Sequence, residues 1–183
     1  MNAPFDVTGI RIETERLILR PWLESDLQDL YSYASVDGVG EMAGWCHHQN
    51  IEESRDILNI FIRGRKTFAL ELKESGTVIG SLGMEEMDPD PEHGENYGRE
   101  IGYVLSKDYW GRGLMPEAVQ AVIRYCFETL RYDYLTCGHF LQNQQSRRVV
   151  EKCGFRYFGQ SRYETRYHTV VTSCNYVLYN PNK

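Results

Sequence analysis

The stretch EIGYVLSKDYWGRGLMPEA, residues 100–118, changes character twice. Its first residues read as a strand, SKDYWGRG as a tight glycine-bearing loop, and LMPEA as the opening of a helix. Apolar residues at 115, 118, 119, 122, 123, 126, 127 and 130 give that helix one strongly apolar face over residues 115–130. The first N–H groups of a helix have no intrahelical acceptor, and the positive end of the helix dipole points out of them. A strand-to-helix turn of this kind is a ready anion site, above all for phosphate. Gly111 and Gly113 remove side chains that would hold a phosphate off the backbone, and Arg112 adds a cation. Pro116 suits a first helical turn, where its missing N–H costs little. Both nucleotide readings are poor: no GxxxxGK[ST] occurs for a P-loop, and no GxGxxG occurs for a dinucleotide fingerprint. Taken alone, WGRG reads equally well as an ordinary tight turn.

Around this core the periodicity sorts the remaining chain. Residues 12–19 read as a first strand ending before Pro21. Leu23, Leu27, Leu30 and Tyr31 open a short helix, and Gly38, Gly40 and Gly44 mark a loop carrying Trp45. A second helix runs from Ile51 and stops at Gly64. Residues 67–72 and 77–84 form a hairpin about Ser75-Gly76, and residues 87–98 a loop rich in Asp, Pro, Glu and Gly. A strand at 135–140 is followed by a helix over 144–152 that ends at Gly154, suited to a left-handed C′ position. A terminal hairpin pairs 155–163 with 169–178. No repeat, low-complexity tract or linker interrupts this order. The expectation is one mixed α/β domain over residues 1–183, with its motif-bearing part at about 10–178.

A chain of 183 residues has the length of one domain, and 42% hydrophobic with 25% charged residues is the balance of a globular protein. No apolar run approaches the ~18–20 residues of a membrane span. The first residues, Met1-Asn2-Ala3-Pro4-Phe5-Asp6, lack the basic and apolar regions of a secretory signal, so a cytoplasmic location is expected. Twenty-six acids against 20 Lys and Arg give a net charge of −6, which disfavours nucleic acid as a partner. The five cysteines form no CxxC pair, and this argues for buried free thiols over a disulfide framework or structural zinc.

Three motifs together carry a family resemblance. WGRGLMPEA behind Gly102-Tyr103-Val104-Leu105 resembles the acyl-CoA-binding motif of the GCN5-related N-acetyltransferase (GNAT) superfamily. Asn143-Gln-Gln-Ser146, continuing to Glu151-Lys152-Cys153-Gly154-Phe155, is similar to the NxxSxxxxEKxGF helix of its ribosomal-protein N-terminal acetyltransferase (RimJ/RimL-type) subgroup. The opening ETERLILRP, residues 13–21, looks like that subgroup's first strand. The resemblance implies a GNAT fold: a central mixed, largely antiparallel sheet of about seven strands with about four flanking helices, splayed between the fourth and fifth strands. It implies acetyl-CoA as co-substrate and a primary amine as acceptor, either a protein N-terminal α-amine or a small-molecule amine, attacking directly in a ternary complex. No metal is implied, and a homodimer is compatible with it.

The resemblance also assigns roles. Pantetheine would pair with the backbone at Val104 and Leu105, and the diphosphate would meet Trp110, Gly111, Arg112, Gly113, Leu114 and Met115. Asn143 matches the position that bonds the pantetheine arm, and Arg147 is placed to meet a CoA phosphate. Trp110 stands where the motif usually begins with Gln or Arg, and Met115 where it usually ends on a small residue. Glu100 lies near where many members carry a base. It reads equally as a strand-end carboxylate beside Arg99. The tyrosine that many relatives use as proton donor is replaced by Val150, whereas Ser146 matches the subgroup's serine donor. A capping role for Ser146 is the alternative. Trp45 and His47 lie in a loop that borders the acceptor pocket in this subgroup, whereas Trp45-Cys-His-His48 makes a poor metal site because adjacent histidines point apart. His139 reads as structural. The acidic residues 85–92 read as a solvated connection or as a means of steering a cationic acceptor. A lysine amine, with a pKa of about 10.4, needs roughly 4.6 kcal/mol to become free base at pH 7, against about 1 kcal/mol for an α-amine, so an α-amine acceptor asks little of its base. A non-catalytic acyl-CoA-binding module of the same fold is the rival reading.

Overall fold

Alternating apolar segments pair in sequence order through the first half of the chain and cross over twice in the second. In the computed structural model, which describes residues 1–87 and 96–183, the strands are β1 (Ile12–Glu13), β2 (Leu17–Pro21), β3 (Thr67–Leu72), β4 (Val78–Glu85), β5 (Gly98–Leu105), β6 (Tyr134–Phe140), β7 (Arg156–Glu164) and β8 (Val170–Tyr179). The helices are α1 (Leu27–Ala34), α2 (Ile51–Gly64), α3 (Leu114–Arg124) and α4 (Gln144–Lys152). One sheet runs β1-β2-β3-β4-β5-β6-β8-β7. Among the strands of the described residues only β5 and β6 pair in parallel; α3 supplies the crossover such a pair needs.

Its two faces carry separate cores. Leu17, Leu19, Phe68, Leu70, Leu82 and Ile101 pack with Leu114, Met115, Ala118 and Val122 of α3 and Val150 of α4. Trp22, Ala69 and Val78 pack with Leu30, Tyr33 and Ala34 of α1 and Leu58 of α2 on the other face. Ala3 and Val7 are buried in the first core, so the chain ahead of β1 belongs to the same unit. At the end of β2, Arg20 ties this face together. Its Nη1 and Nη2 donate to the Asp26 carboxylate at 2.8 and 2.9 Å, and its Nε donates to Glu71 at 2.6 Å.

Three local features differ from the periodicity. The strand expected at 12–19 breaks at Thr14, because the Thr14 hydroxyl accepts from Leu17 N–H at 2.9 Å and donates to Glu117 on α3 at 2.6 Å. A short β1–β2 hairpin results, and the sheet has eight strands rather than about seven. The helix expected over 115–130 is α-helical only to Arg124, where a π-turn takes over through Thr129 and Leu130 N–H donates to Tyr125 C=O. Cys126 and Phe127 are both buried in this turn. Finally, α2 closes through Arg65 at φ 52°, one residue beyond the glycine expected to stop it.

All five cysteines are free thiols; Cys126, Cys137, Cys153 and Cys174 are buried and Cys46 is exposed. Among the described residues, no helix is long and apolar enough to cross a membrane.

The feature that positions the site is a split in the sheet. The β5–β6 ladder joins Gly98–Ile101 to Tyr134–Cys137 and ends there. Beyond it β5 follows β4 to Leu105, while β6 follows β8 to Phe140. Register decides which backbone groups face the opening. Ser106 donates to Ile79 O on the β4 side, so with the two-residue alternation of an antiparallel ladder Val104 and Gly102 also address β4. The main chain of Tyr103 and Leu105 therefore faces the opening. Val104, an expected pantetheine contact, turns its main chain to β4 and packs its side chain in the second core.

Candidate active site

The turn leaving β5 is built to present backbone. Trp110 donates its indole N–H to Leu105 O at 2.8 Å and so folds the loop back on the strand end. Gly111 and Gly113 have φ of 74° and 76°, a left-handed conformation that a side chain would strain, and a Cβ at Gly111 would meet nothing within 4 Å. Gly113 is the N-cap of α3, so the amides of Leu114 and Met115 open the helix without a carbonyl one turn back. Their side chains are buried in the first core, which fixes the helix while its end stays presented. Arg16 clamps the turn from β2's side, donating to Arg112 O at 2.9 Å and pairing with Glu117 at 2.7 Å. Burial alone would raise the Glu117 carboxyl, but hydrogen bonds from Thr14 and Arg16 outweigh it and hold it low. The Arg112 guanidinium lies over the Tyr109 ring at 5.1 Å, its charge exposed beside the turn.

Across the opening stands α4. Asn143 is its N-cap, accepting from Ser146 N–H at 3.1 Å, and its Nδ2 donates to Met42 O at 3.4 Å. The cap is therefore supplied by Asn143, and the Ser146 hydroxyl turns to Tyr103 Oη at 2.8 Å. Arg147 pairs with Glu151 at 2.8 Å and lines a groove of about 520 Å³ with Tyr157, Gln160 and Tyr176 of the terminal hairpin. That pair engages Nε and leaves the other guanidinium donors for a further contact. Glu100 lies opposite Glu85 on β4 and Thr136 on β6, just before the split. Strand alternation gives it the face of Val104, toward α1 and α2, whereas Ile101, Tyr103 and Leu105 face α3 and α4. Its neighbour Arg99 points the other way and donates to Ala3 O at 2.6 Å.

On the α1–α2 face the loop carrying Trp45 and His47 is clamped to the far end of the opening. Arg166 N–H donates to Gly44 O at 2.8 Å, and the Tyr167 hydroxyl donates to Glu41 O. Trp45 packs on Gly40, where a Cβ would sit 2.2 Å from its ring, and stacks on His48. His47 Nδ1 is 2.9 Å from Glu41 and 3.7 Å from Asp37. Burial would raise the Glu41 carboxyl, but backbone and ring hydrogen bonds from His47, with the Gly38 amide, leave it lowered. His48 turns to Ser54 instead, at 2.7 Å.

The sequence model of the acetyltransferase (GNAT) domain matches residues 16–156. This chain belongs to the GNAT family. It is an acyltransferase, and the acyl donor of GNAT acetyltransferases is acetyl-CoA. The uncharacterized N-acetyltransferase YoaA of Bacillus subtilis is 25% identical over 175 residues, covering 87% of this chain and 96% of its own. A GNAT-family acetyltransferase from Bacillus anthracis superposes with a TM-score of 0.80 at 24% identity, over 93% of this chain and 99% of that one. The ribosomal-protein-S5-alanine acetyltransferase of Vibrio fischeri does so at 0.72 and 18%, over 95% and 98%.

The residues of this GNAT chain fit a CoA thioester: an unobstructed glycine turn at a helix start, and strand backbone facing a split. The motifs at 102–118 and 143–155 sit on the two sides of that split. Tyr103, Glu41 and Asp37 escaped the sequence reading, since only tertiary packing sets them beside Ser146 and His47. The acidic segment 85–92 lies largely outside the described residues.

His48 also gives the acetyltransferase a pH signature. Burial pushes its imidazole below the ordinary 6.5, with the Glu53 charge opposing and His47 adding to the shift. The unfolded chain takes up this proton near 6.5 while the folded chain resists it. The stability present above that pH is therefore lost as pH falls below it. Melting temperatures of wild type and His48→Gln from pH 7.5 to 5 should show a shallower acid decline in the variant; equal slopes would contradict this.

Proposed function

We propose that this acetyltransferase moves the acetyl group of acetyl-CoA to a primary amine, on a protein N-terminus or a small molecule, by direct attack in a ternary complex. One observation carries the reading: the split between β5 and β6 opens to both faces of the sheet. The face toward α1 and α2 holds Glu100, and the face toward α3 and α4 holds Ser146 and the glycine turn. Bound CoA supplies an activated acyl group as a thioester. The amides at 111–115 hold its diphosphate with help from Arg112, and the main chain of Tyr103 and Leu105 pairs with the pantetheine amides. Asn143 borders that arm, and Arg147 meets a CoA phosphate with the guanidinium donors that its Nε pair with Glu151 leaves over.

Glu100 takes the amine proton, directly or through water, so that nitrogen attacks as the free base. Ser146 donates a hydrogen bond to the departing sulfur. Trp45 packs the wall and His47 contacts the acceptor, and the Asp37 and Glu41 carboxylates favour an acceptor that arrives as an ammonium ion. The test is release of CoA thiol across a panel of α-amino peptides, polyamines, amino acids and aminoglycosides. At pH 7, Glu100→Gln should lower kcat/KM on the order of 10²- to 10⁴-fold. The loss should shrink as rising pH supplies free amine. Unchanged turnover across pH 6–9 would remove Glu100 from the mechanism. Tight acetyl-CoA binding with no thiol release from any amine would favour the non-catalytic module.

A further inference from the structure

We propose that Tyr103 is the positioning residue of the leaving-group site: its hydroxyl donates to Ser146 Oγ, so that the single proton of Ser146 is aimed at the thioester sulfur in the β5–β6 opening. The inference rests on the acetyl-CoA reading above and adds to it a residue and a direction of hydrogen bonding. Tyr103 stands two residues past the last β5–β6 pair, Ile101 with Cys137. From there its side chain spans the split and meets the first turn of α4, with Oη 2.8 Å from Ser146 Oγ and 3.3 Å from Ser146 O. A hydroxyl has one proton to give, so the direction of this contact decides what Ser146 can do. Two facts set it. Asn143 already caps α4, so the Ser146 hydroxyl is not needed by the helix. Burial, with the Cys137 and Cys153 thiols close by, pushes the Tyr103 phenol well above its ordinary value against a Ser146 hydrogen bond that lowers it, so the phenol keeps a proton to give; Ser146 Oγ at 2.8 Å lies nearer to it than Ser146 O at 3.3 Å and is taken as its acceptor.

In the transfer step the C–N bond forms as the C–S bond breaks, and the electron pair of that bond stays on sulfur. The amine proton passes to Glu100 and on to solvent. Ser146 meets the new thiolate with its O–H, and that O–H is made more acidic by the hydrogen bond its oxygen accepts from Tyr103. Tyr103 gives up no proton, and the thiolate leaves with CoA or is protonated from solvent.

An acceptor-independent test uses CoA and desulfo-CoA as probes, titrated by calorimetry from pH 6.5 to 9.5. In the wild type, affinity for CoA should rise on the order of tenfold relative to desulfo-CoA as the thiol ionises, the effect of one hydrogen bond to a charged atom. Tyr103→Phe and Ser146→Ala should each abolish that rise and keep desulfo-CoA affinity within about threefold. The double variant should be no worse than Ser146→Ala. Melting temperatures identify a variant that fails to fold, and Ser146→Ala, which removes no buried ring, then carries the test. A rise that persists in Tyr103→Phe, or is missing in the wild type, overturns the proposal. Failure of both probes to bind the folded wild type overturns the acetyl-CoA reading itself, a distinct result.

Discussion

Arg20→Ala is expected to destabilise the fold by about 3–5 kcal/mol, the usual cost of removing one partner from a buried ion pair. Arg20 is 14% exposed, and it faces Asp26 at 7% and Glu71 at 21%. Its removal strands two carboxylates that water reaches poorly. The fork geometry matters as well as the charge, since three of its nitrogens are engaged at once. Lysine restores the charge and three donors from a single nitrogen but not the planar fork that reaches both carboxylates, so Arg20→Lys should recover part of the loss. Denaturant midpoints at constant slope measure both. A loss below about 1 kcal/mol, the scale of an exposed pair, would show that the network contributes little. This arginine belongs to the ETERLILRP motif, and its service is to join β2, the turn before α1, and β3. It touches no part of the split.

The second large effect falls on ligand affinity. Gly111 and Gly154 make a matched pair: φ is 74° and 86°, and a Cβ at either would meet nothing within 4 Å. Alanine at either position should therefore cost a similar ~1–2 kcal/mol of stability through left-handed strain. Only Gly111 lies over the helix start assigned to the diphosphate. Relaxation of its turn would forfeit about two hydrogen bonds to a charged group, each worth roughly 1.5–3 kcal/mol. Acetyl-CoA should then bind on the order of 10²- to 10⁴-fold more weakly to Gly111→Ala and normally to Gly154→Ala. Equal affinities in the two variants would separate the glycine turn from ligand binding.

Much of this was legible because local sequence encodes it. The glycines at 111 and 113 mark left-handed positions, Asn143 and Gly154 bound α4, and apolar spacing gives α3. Three motifs in order then specified the family. What stayed hidden depends on contacts distant in sequence. The break at Thr14 arises from Glu117, about a hundred residues on. The choice of Tyr103 over Val104 as the backbone facing the split comes from register with β4, which alternation within one strand cannot supply. The partnership of Tyr103 with Ser146 exists only because β5 and β6 part while α4 closes over them. His47 was visible as a candidate, but the carboxylates around it come from a loop whose path is set by Arg166 and Tyr167 on the terminal hairpin.

The most direct measurement is a crystal structure with CoA bound. The account predicts the diphosphate on the amides of residues 111–115 and the pantetheine amides paired with the main chain of Tyr103 and Leu105. It also predicts the sulfur within hydrogen-bonding reach of Ser146 Oγ. A diphosphate seated elsewhere, or a pantetheine arm lying outside the β5–β6 split, would contradict it.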